Sequence, residues 1–171
     1  MPIELGRVIS MSESRSLEQR RSDVQDALAR NGDAWLATAS PSARPHLIAV
    51  SSWWDGSHVV VATTGASRTA RNLAATRRGR LALGSPDDVV MVDVTVAGSV
   101  AVKDADPRLR AGFAAAVDWD PAEEGPDWLY FRLLPVRVQA YRGYGELPGR
   151  DVMRGGAWLG EPVTDRGSTA R

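Results

Sequence analysis

The chain has 171 residues, 43% of them hydrophobic, and its basic and acidic residues balance to a formal net charge of zero. This length predicts one domain around one sizeable core, and the neutral balance excludes a general attraction to nucleic acid or to an anionic membrane. No cysteine occurs, which excludes disulfides, thiolate metal sites and thiol nucleophiles and is typical of a reducing cytoplasm.

Further expectations concern secretion, membranes and metals. Residues 1–14 lack the basic segment and the long apolar run of a secretion signal, and no stretch approaches about 18 consecutive apolar residues. The two histidines, His46 and His58, have no carboxylate at a spacing typical of a metal triad. We therefore expect a cytoplasmic protein with no metal site, no membrane partner and no nucleic-acid partner.

The first half of the chain predicts a helix followed by three antiparallel strands. Residues 1–13 show no clear period and are expected to be flexible. Apolar side chains at helical spacing predict an amphipathic helix over 16–30, and the period then changes to two, which is typical of strands. Asp55-Gly56 predicts a hairpin between the second and third strands, because tight turns need positive φ. The predicted strands cover residues 34–39, 45–54 and 58–63.

The second half predicts two helices and three strands. Gly98 interrupts a run rich in β-branched residues and predicts a bulge or bend, and Pro135 predicts an edge position or a bulge. Beyond the last strand, the Gly-rich residues 143–171 form a predicted C-terminal extension that packs through Trp158. In chain order the predicted elements are a helix at 66–77, strands at 80–85 and 89–102, a helix at about 106–117, and a strand at 128–142.

The order of these elements predicts the fold class. A single helix separates the third strand from the fourth, so the chain lacks the regular strand–helix alternation of a doubly wound sheet. We predict a mainly β protein with flanking helices, built as an antiparallel, Greek-key-like barrel over residues 14–142. Closure of the barrel would remove the exposed edges that so many apolar strands otherwise present.

One segment predicts a phosphate site. Residues 63–73, TTGASRTARNL, follow the third predicted strand directly. Gly65 lets the backbone approach a ligand closely, and Ser67 can cap a helix whose free N–H groups and dipole favour an anion. Arg68 and Arg71 would add charged donors. The same residues also fit an ordinary surface helix, with Ser67 as its cap and both arginines in water, so the sequence leaves two interpretations open.

The surroundings of this segment carry a family resemblance. The stretch LATASPSARPHLIAVSSWWDGSHVVVATTGASRTARNL, followed by VVMVDVTVAGSV and LYFRLLPVRVQAY, resembles the pyridoxamine 5′-phosphate oxidase-like family of flavin- and deazaflavin-binding split β-barrels. The resemblance covers about residues 34–141 and rests on the order and spacing of these motifs. The later ELPGRDVMRGGAWL is similar to the C-terminal segment of bacterial members.

The resemblance implies a homodimer with a cofactor in each of two clefts at the subunit interface. The cofactor would be FMN, or alternatively the deazaflavin coenzyme F-420. Thr69 departs from the family pattern, because a Lys commonly follows Ser-Arg there; Arg68 and Arg71 are then left to neutralise the phosphate. Arg137 either reaches a cofactor across the interface or faces solvent. Transferred to matching positions, the ring-lining residues are Val50, Ser51 and Ser52, and the phosphate-binding residues are Thr63, Ser67 and Arg68.

The implied function is an FMN-dependent oxidoreductase that moves a hydride or an electron pair between a reduced donor and a small organic substrate, with no assigned catalytic side chain. The alternatives are a deazaflavin-dependent reductase of the same fold, a flavin-binding protein without turnover, and a haem-binding variant with His46 or His58 as ligand. We expect His46 to be a polar packing or interface residue, because no carboxylate partner is evident nearby in sequence.

Overall fold

The computed structural model describes residues 14–30 and 32–160. The predicted flexible segment 1–13 and the last residues of the C-terminal extension lie outside this part. The elements are α1 Leu17–Ala29, β1 Gly32–Ala39, β2 Pro45–Trp54, β3 Val59–Thr64, α2 Arg68–Thr76, β4 Arg78–Ser85, β5 Asp88–Ala101, α3 Pro107–Val117, β6 Trp128–Tyr141, β7 Asp151–Arg154 and β8 Ala157–Trp158.

Six of the strands form a closed antiparallel barrel. The strand order is β3-β2-β1-β4-β5-β6, and pairing of β3 with β6 closes the ring. The first four strands in this order form a Greek key, since β4 returns to lie beside β1. The predicted fold class is confirmed. Among residues 14–30 and 32–160, no helix is both long and apolar enough to cross a membrane.

The barrel interior is filled by alternate side chains of its strands. Leu36, Leu81, Val92 and Leu133 are fully buried and come from four different strands. The period of two that predicted the strands therefore also identifies the side chains of the core. Helix α1 adds Val24 to the same cluster, and the predicted apolar face of this helix is confirmed.

A second apolar cluster lies between α3 and the opposite face of β3 and β6. The ring of Phe113 packs at 5.2 Å from that of Tyr130 and at 6.1 Å from that of Trp119, measured between centroids. A Cβ atom on Gly112 would come within 2.5 Å of the Trp53 ring. Glycine at this position therefore lets α3 approach β2 closely.

Two predicted irregularities are confirmed. The register of β5 and β6 shifts between Val96 and Gly98, and again beside Asp93 and Val94, where β6 carries Pro135. Pro135 therefore sits at a bulge, one of the two positions predicted for it. These bulges bend two strands of 14 residues each, so that both can follow the wall of a small barrel.

The C-terminal extension is more ordered than the sequence indicates. Residues 143–160 were expected to be weakly patterned, but they include the hairpin β7–β8, and β7 pairs with β6. The predicted packing of Trp158 is confirmed, since it lies against the main core and 6.0 Å from the guanidinium carbon of Arg21. The Gly-rich composition hid the hairpin because Gly155 and Gly156 form its turn with positive φ.

A short ladder leaves a slot in the barrel wall. β2 pairs with β1 over residues 45–52 but with β3 only over residues 52–54. Residues 45–51 of β2 therefore have no partner strand on the β3 side. The backbone N–H and C=O groups that point to this side are not used in strand pairing. We call these residues the free edge of β2. It lies beside α2, because His46 on β2 contacts Thr69 on α2.

Candidate cofactor site

The turn between β3 and α2 is built around the hydroxyl of Ser67. Its Oγ accepts a hydrogen bond from the backbone N–H of Ala70 at 2.9 Å and another from Oγ1 of Thr63, also at 2.9 Å. The predicted role of Ser67 as helix cap is confirmed. Because both bonds use this oxygen as acceptor, its own hydrogen remains available to an acceptor outside the chain.

Backbone amides at the same turn supply further donors. Within the described part of the chain, the N–H groups of Ala66, Arg68 and Thr69 have no acceptor. The amide of Gly65 is already used, since it donates to the carbonyl of Asp127 at 2.8 Å. Three free amides beside the positive end of the α2 dipole form a site that favours an anion.

The two arginines of this turn differ in what they contact. Arg68 is exposed, and its guanidinium has no hydrogen-bond or ion-pair partner in residues 14–30 and 32–160. Arg71 instead donates from Nη1 to the carbonyl of Ala66, so it holds the turn in place. Arg68 is thus the charged side chain that can contact a ligand. Arg71 stabilises the backbone turn whose free amides can contact the same ligand. We call Ala66, Ser67, Arg68 and Thr69 the anion cradle.

The two serines predicted to line a ring both donate their hydroxyls to residues of β1. The Oγ of Ser52 is buried and donates to the carbonyl of Gly32 at 2.9 Å, and the Oγ of Ser51 donates to Asp33 at 3.4 Å. Val50 is half-buried on the free edge of β2. Any contact of these residues with a ligand beside β2 would be mainly through the backbone, as the family resemblance implies.

A side-chain pair connects the free edge of β2 to the anion cradle. Nε2 of His46 lies 3.1 Å from Oγ1 of Thr69, and Thr69 is buried. This contact agrees with the expectation that His46 is a polar packing residue. No local pattern indicates this pairing, because the two residues are 23 positions apart and lie on different elements.

Arg137 lies elsewhere in the chain. It stands on β6, and its Nη2 is 3.0 Å from a carboxylate oxygen of Asp151 on β7. Within one chain it does not contact the anion cradle. A contact with a cofactor across an interface stays a prediction.

An open groove of about 650 Å³ lies at the other end of α2. Thr76 at the end of the helix and Thr38 on β1 form one side, and Arg78 and Arg80 on β4 form another. Arg80 is paired with Asp93 on β5. Arg78 is exposed and, among the described residues, unpaired.

The hairpin between β2 and β3 holds the second histidine. The carboxylate of Asp55 accepts hydrogen bonds from the backbone N–H groups of Ser57 and His58. Burial acts to raise the pKa of Asp55, but these bonds lower it below the usual value. Nδ1 of His58 contacts the hydroxyl of Ser57 and a guanidinium nitrogen of Arg132. This ring is thus held at the hairpin tip, and Gly56 supplies the positive φ that the sequence predicts there.

The closed six-stranded antiparallel barrel, with a slot beside the first turn of α2, defines a split β-barrel protein. Residues 21–143 match the pyridoxamine 5′-phosphate oxidase family. The chain therefore belongs to this family, as the motifs between residues 34 and 141 indicated. Among curated proteins, no sequence matches the chain significantly.

Solved structures share the fold at low sequence identity. An F420 reductase is 20% identical, with a TM-score of 0.57 over 67% of this chain and 94% of the other. A pyridoxamine 5′-phosphate oxidase-related, FMN-binding protein from Nostoc punctiforme PCC 73102 is 16% identical, with a TM-score of 0.52 over 75% and 87%. A heme-binding protein from Mycobacterium smegmatis is 20% identical, with a TM-score of 0.56 over 77% and 56%. At these identities the similarity shows the fold alone.

Proposed function

We propose that the chain is a flavin-dependent oxidoreductase that binds the phosphate of FMN at the anion cradle. The observation that carries the proposal is the set of unused donors at one corner: three backbone amides, the hydroxyl hydrogen of Ser67 and the guanidinium of Arg68. A phosphate dianion needs several donors and positive charge, and this corner offers both. The FMN-binding protein with the same fold supports the choice of ligand.

The flavin ring would lie along the free edge of β2, with backbone groups of residues 50 and 51 as its hydrogen-bond partners. When bound, the ring supplies the chemistry by accepting or donating a hydride. The chain's residues bind the phosphate, orient the ring against β2 and exclude water on that side. Val50 packs against the barrel core, and the ring needs neither serine hydroxyl, since both already donate to residues of β1.

A deazaflavin coenzyme is the second candidate, and the groove at the far end of α2 favours it. Such a coenzyme carries a longer and more acidic tail than FMN. The exposed guanidinium of Arg78 lies in that groove, beside the Arg80–Asp93 pair. A tail that passes along α2 from Arg68 toward Arg78 would meet positive charge at both ends. The similarity of the fold to that of an F420 reductase supports this candidate.

We also propose that the protein is a homodimer that buries the outer face of β1 and β2. Trp35 and Leu47 are 56% and 60% exposed, and both point away from the barrel core. In the register of the sheet, Trp35 lies between Ala49 and Ala82, so the apolar surface crosses three strands. A second copy seated there would cover this surface and would also shield the free edge of β2. The zero net charge adds no general repulsion.

The cofactor proposal is tested by comparing FMN with riboflavin, which lacks the phosphate, while intrinsic Trp fluorescence is followed. If the anion cradle binds the phosphate, FMN should bind at least about tenfold more tightly, since charge-assisted hydrogen bonds contribute about 1.5–3 kcal/mol each. Equal affinities for the two compounds would contradict the proposal. Titration with the deazaflavin coenzyme separates the two candidates, because the preferred one binds at the lower concentration.

The dimer is tested by light scattering on purified protein. Trp35→Glu and Leu47→Glu place a charge in the proposed interface, so each should shift the protein from twice the chain mass to the chain mass. Tyr144→Glu is the matched control, since Tyr144 is 83% exposed but lies in the C-terminal extension. A wild-type protein with the mass of one chain would overturn the proposal.

A further inference from the structure

A second group of arginines surrounds Asp151 at the junction of β6 and β7. Both carboxylate oxygens of Asp151 are occupied: Oδ1 accepts from Arg137 at 3.0 Å and from Gln139 at 2.9 Å, and Oδ2 accepts from Arg154 at 2.7 Å and from Arg137 at 3.2 Å. Asp151 is buried. Burial acts to raise its pKa, but these hydrogen bonds hold the pKa well below the usual range, so the group stays charged.

This group has more positive than negative charge. A cavity of about 200 Å³ is lined by Arg137, Arg154 and a third arginine, Arg150, with Asp151 as its only acidic lining residue. Three guanidinium groups against one carboxylate leave a formal surplus of two positive charges. Arg150 uses one nitrogen to donate to the carbonyl of Leu147 at 3.3 Å. In the described part of the chain, the Nη atoms of Arg154 and Nη1 of Arg137 have no acceptor.

The fold of the β7–β8 hairpin does not require three arginines beside Asp151. Arg137 and Gln139 alone would pair β6 with the buried Asp151 and satisfy its charge. Arg154 and Arg150 add two positive charges at the same cavity, where Asp151 supplies a single negative charge, so repulsion between the guanidinium groups is only partly compensated. The side chains of Arg137 and Arg154 remain 44% and 66% exposed, so their unused N–H groups can be reached from solvent.

We propose that this cavity is a binding site for a phosphate monoester dianion, separate from the anion cradle. The ligand's two negative charges match the surplus of two positive charges, and guanidinium groups bind phosphate oxygens through paired N–H donors. Asp151 is a positioning residue, since its bonds fix Arg137 and Arg154 before the ligand arrives and reduce the entropy lost on binding. Arg150, Asp151 and Arg154 lie beyond residues 21–143, so the family match does not account for them.

The test is an NMR titration of the full chain with inorganic phosphate at low ionic strength, read from backbone amide and arginine Nε–H signals. We expect saturable shifts at residues 149–154 and at the Nε–H groups of Arg137 and Arg154. Signals of residues 66–69 report the anion cradle in the same spectra, so occupancy of the two sites is resolved. Succinate is the comparison ligand: tighter binding of succinate than of phosphate at residues 149–154 would overturn the assignment to a phosphate ester.

Variants give the second arm of the test. The double variant Arg150→Gln/Arg154→Gln keeps the Arg137–Asp151 pair and removes two charges, so phosphate affinity at residues 149–154 should fall by at least about tenfold. Arg108→Gln is the control, because Arg108 is exposed on α3 and has no side-chain partner in the described residues. Unchanged phosphate affinity in the double variant would overturn the proposal, and an equal loss of affinity in the control would show that only general electrostatics acts there.

Discussion

The anion cradle and the cluster around Glu146 both depend on arginine, but they differ in what faces the guanidinium groups. At the cradle, Arg68 is exposed and no carboxylate contacts it. In the other cluster, Nη2 of Arg15 lies 2.7 Å from Glu146, and Nη1 lies 2.6 Å from Asp23. The side chains of Arg15 and Glu146 are only 9% and 4% exposed.

The difference shows how one residue type provides either binding or stability. Glu146 also accepts the backbone N–H groups of Arg15 and Arg142, so it joins the start of α1 to the C-terminal extension. Its bond with Arg15 lowers its pKa to about 2, against burial, which acts to raise it. An arginine whose charge is matched inside the fold stabilises the fold. An arginine that lies beside unused backbone amides, such as Arg68, can use its positive charge to bind a ligand.

The largest expected effect is the loss of the Glu146 carboxylate. Glu146→Ala removes the carboxylate that meets Nε and Nη2 of Arg15, which leaves Asp23 to compensate the buried guanidinium, and it also removes the acceptor of two backbone amides. Breaking a buried pair in this way lowers the free energy of unfolding by about 3–5 kcal/mol. Urea denaturation followed by fluorescence measures it. Glu18→Ala is the control, because Glu18 is exposed in the first turn of α1 and should cost under about 1 kcal/mol.

The pH dependence of stability isolates the same carboxylate. The pKa of Glu146 falls from 4.5 to about 2 on folding, so its contribution is complete above pH 4.5 and is lost as pH falls toward 2. The loss is on the order of 3 kcal/mol, since each pKa unit corresponds to about 1.4 kcal/mol. Other carboxylates titrate in this range, so the measured quantity is the difference between the wild type and Glu146→Gln. That difference should be large at pH 6 and small at pH 2; a constant difference would contradict the assignment.

At the anion cradle, the expected effect is on affinity and not on stability. Arg68→Gln removes the exposed guanidinium and should weaken FMN binding by about 10- to 100-fold, as expected for one charge-assisted hydrogen bond. The free energy of unfolding should change by less than about 0.5 kcal/mol, because Arg68 has no partner in the described residues. Arg108→Gln is the charge-matched control. A loss of stability without a loss of FMN affinity would show that Arg68 stabilises the fold, as Arg15 does, and does not bind the cofactor.

Sequence reasoning predicted the elements that depend on patterns among neighbouring residues. The strands follow from a period of two, the cap of α2 from Ser67 and its neighbours, and the barrel from the order of elements. The contacts that sequence reasoning missed join positions far apart in the chain. Arg15 and Glu146 are 131 residues apart, and neither stands in a motif. The placement of Val50, Ser51, Ser52, Thr63 and Arg68 near a cofactor follows from the family resemblance and stays a prediction.

The smallest expected effect concerns Thr69, the position where the family commonly has lysine. Thr69→Val removes the hydroxyl that meets Nε2 of His46 but keeps the side-chain shape and the free backbone amide. Stability should fall by about 1 kcal/mol, the usual net contribution of one hydrogen bond, while FMN affinity changes by less than about threefold. Thr64→Val is the control, since Thr64 is only partly buried and its hydroxyl is unbonded within the described chain. If Thr69→Val instead weakens FMN binding as much as Arg68→Gln does, the threonine hydroxyl itself faces the phosphate, and the cradle depends on side chains more than on amides.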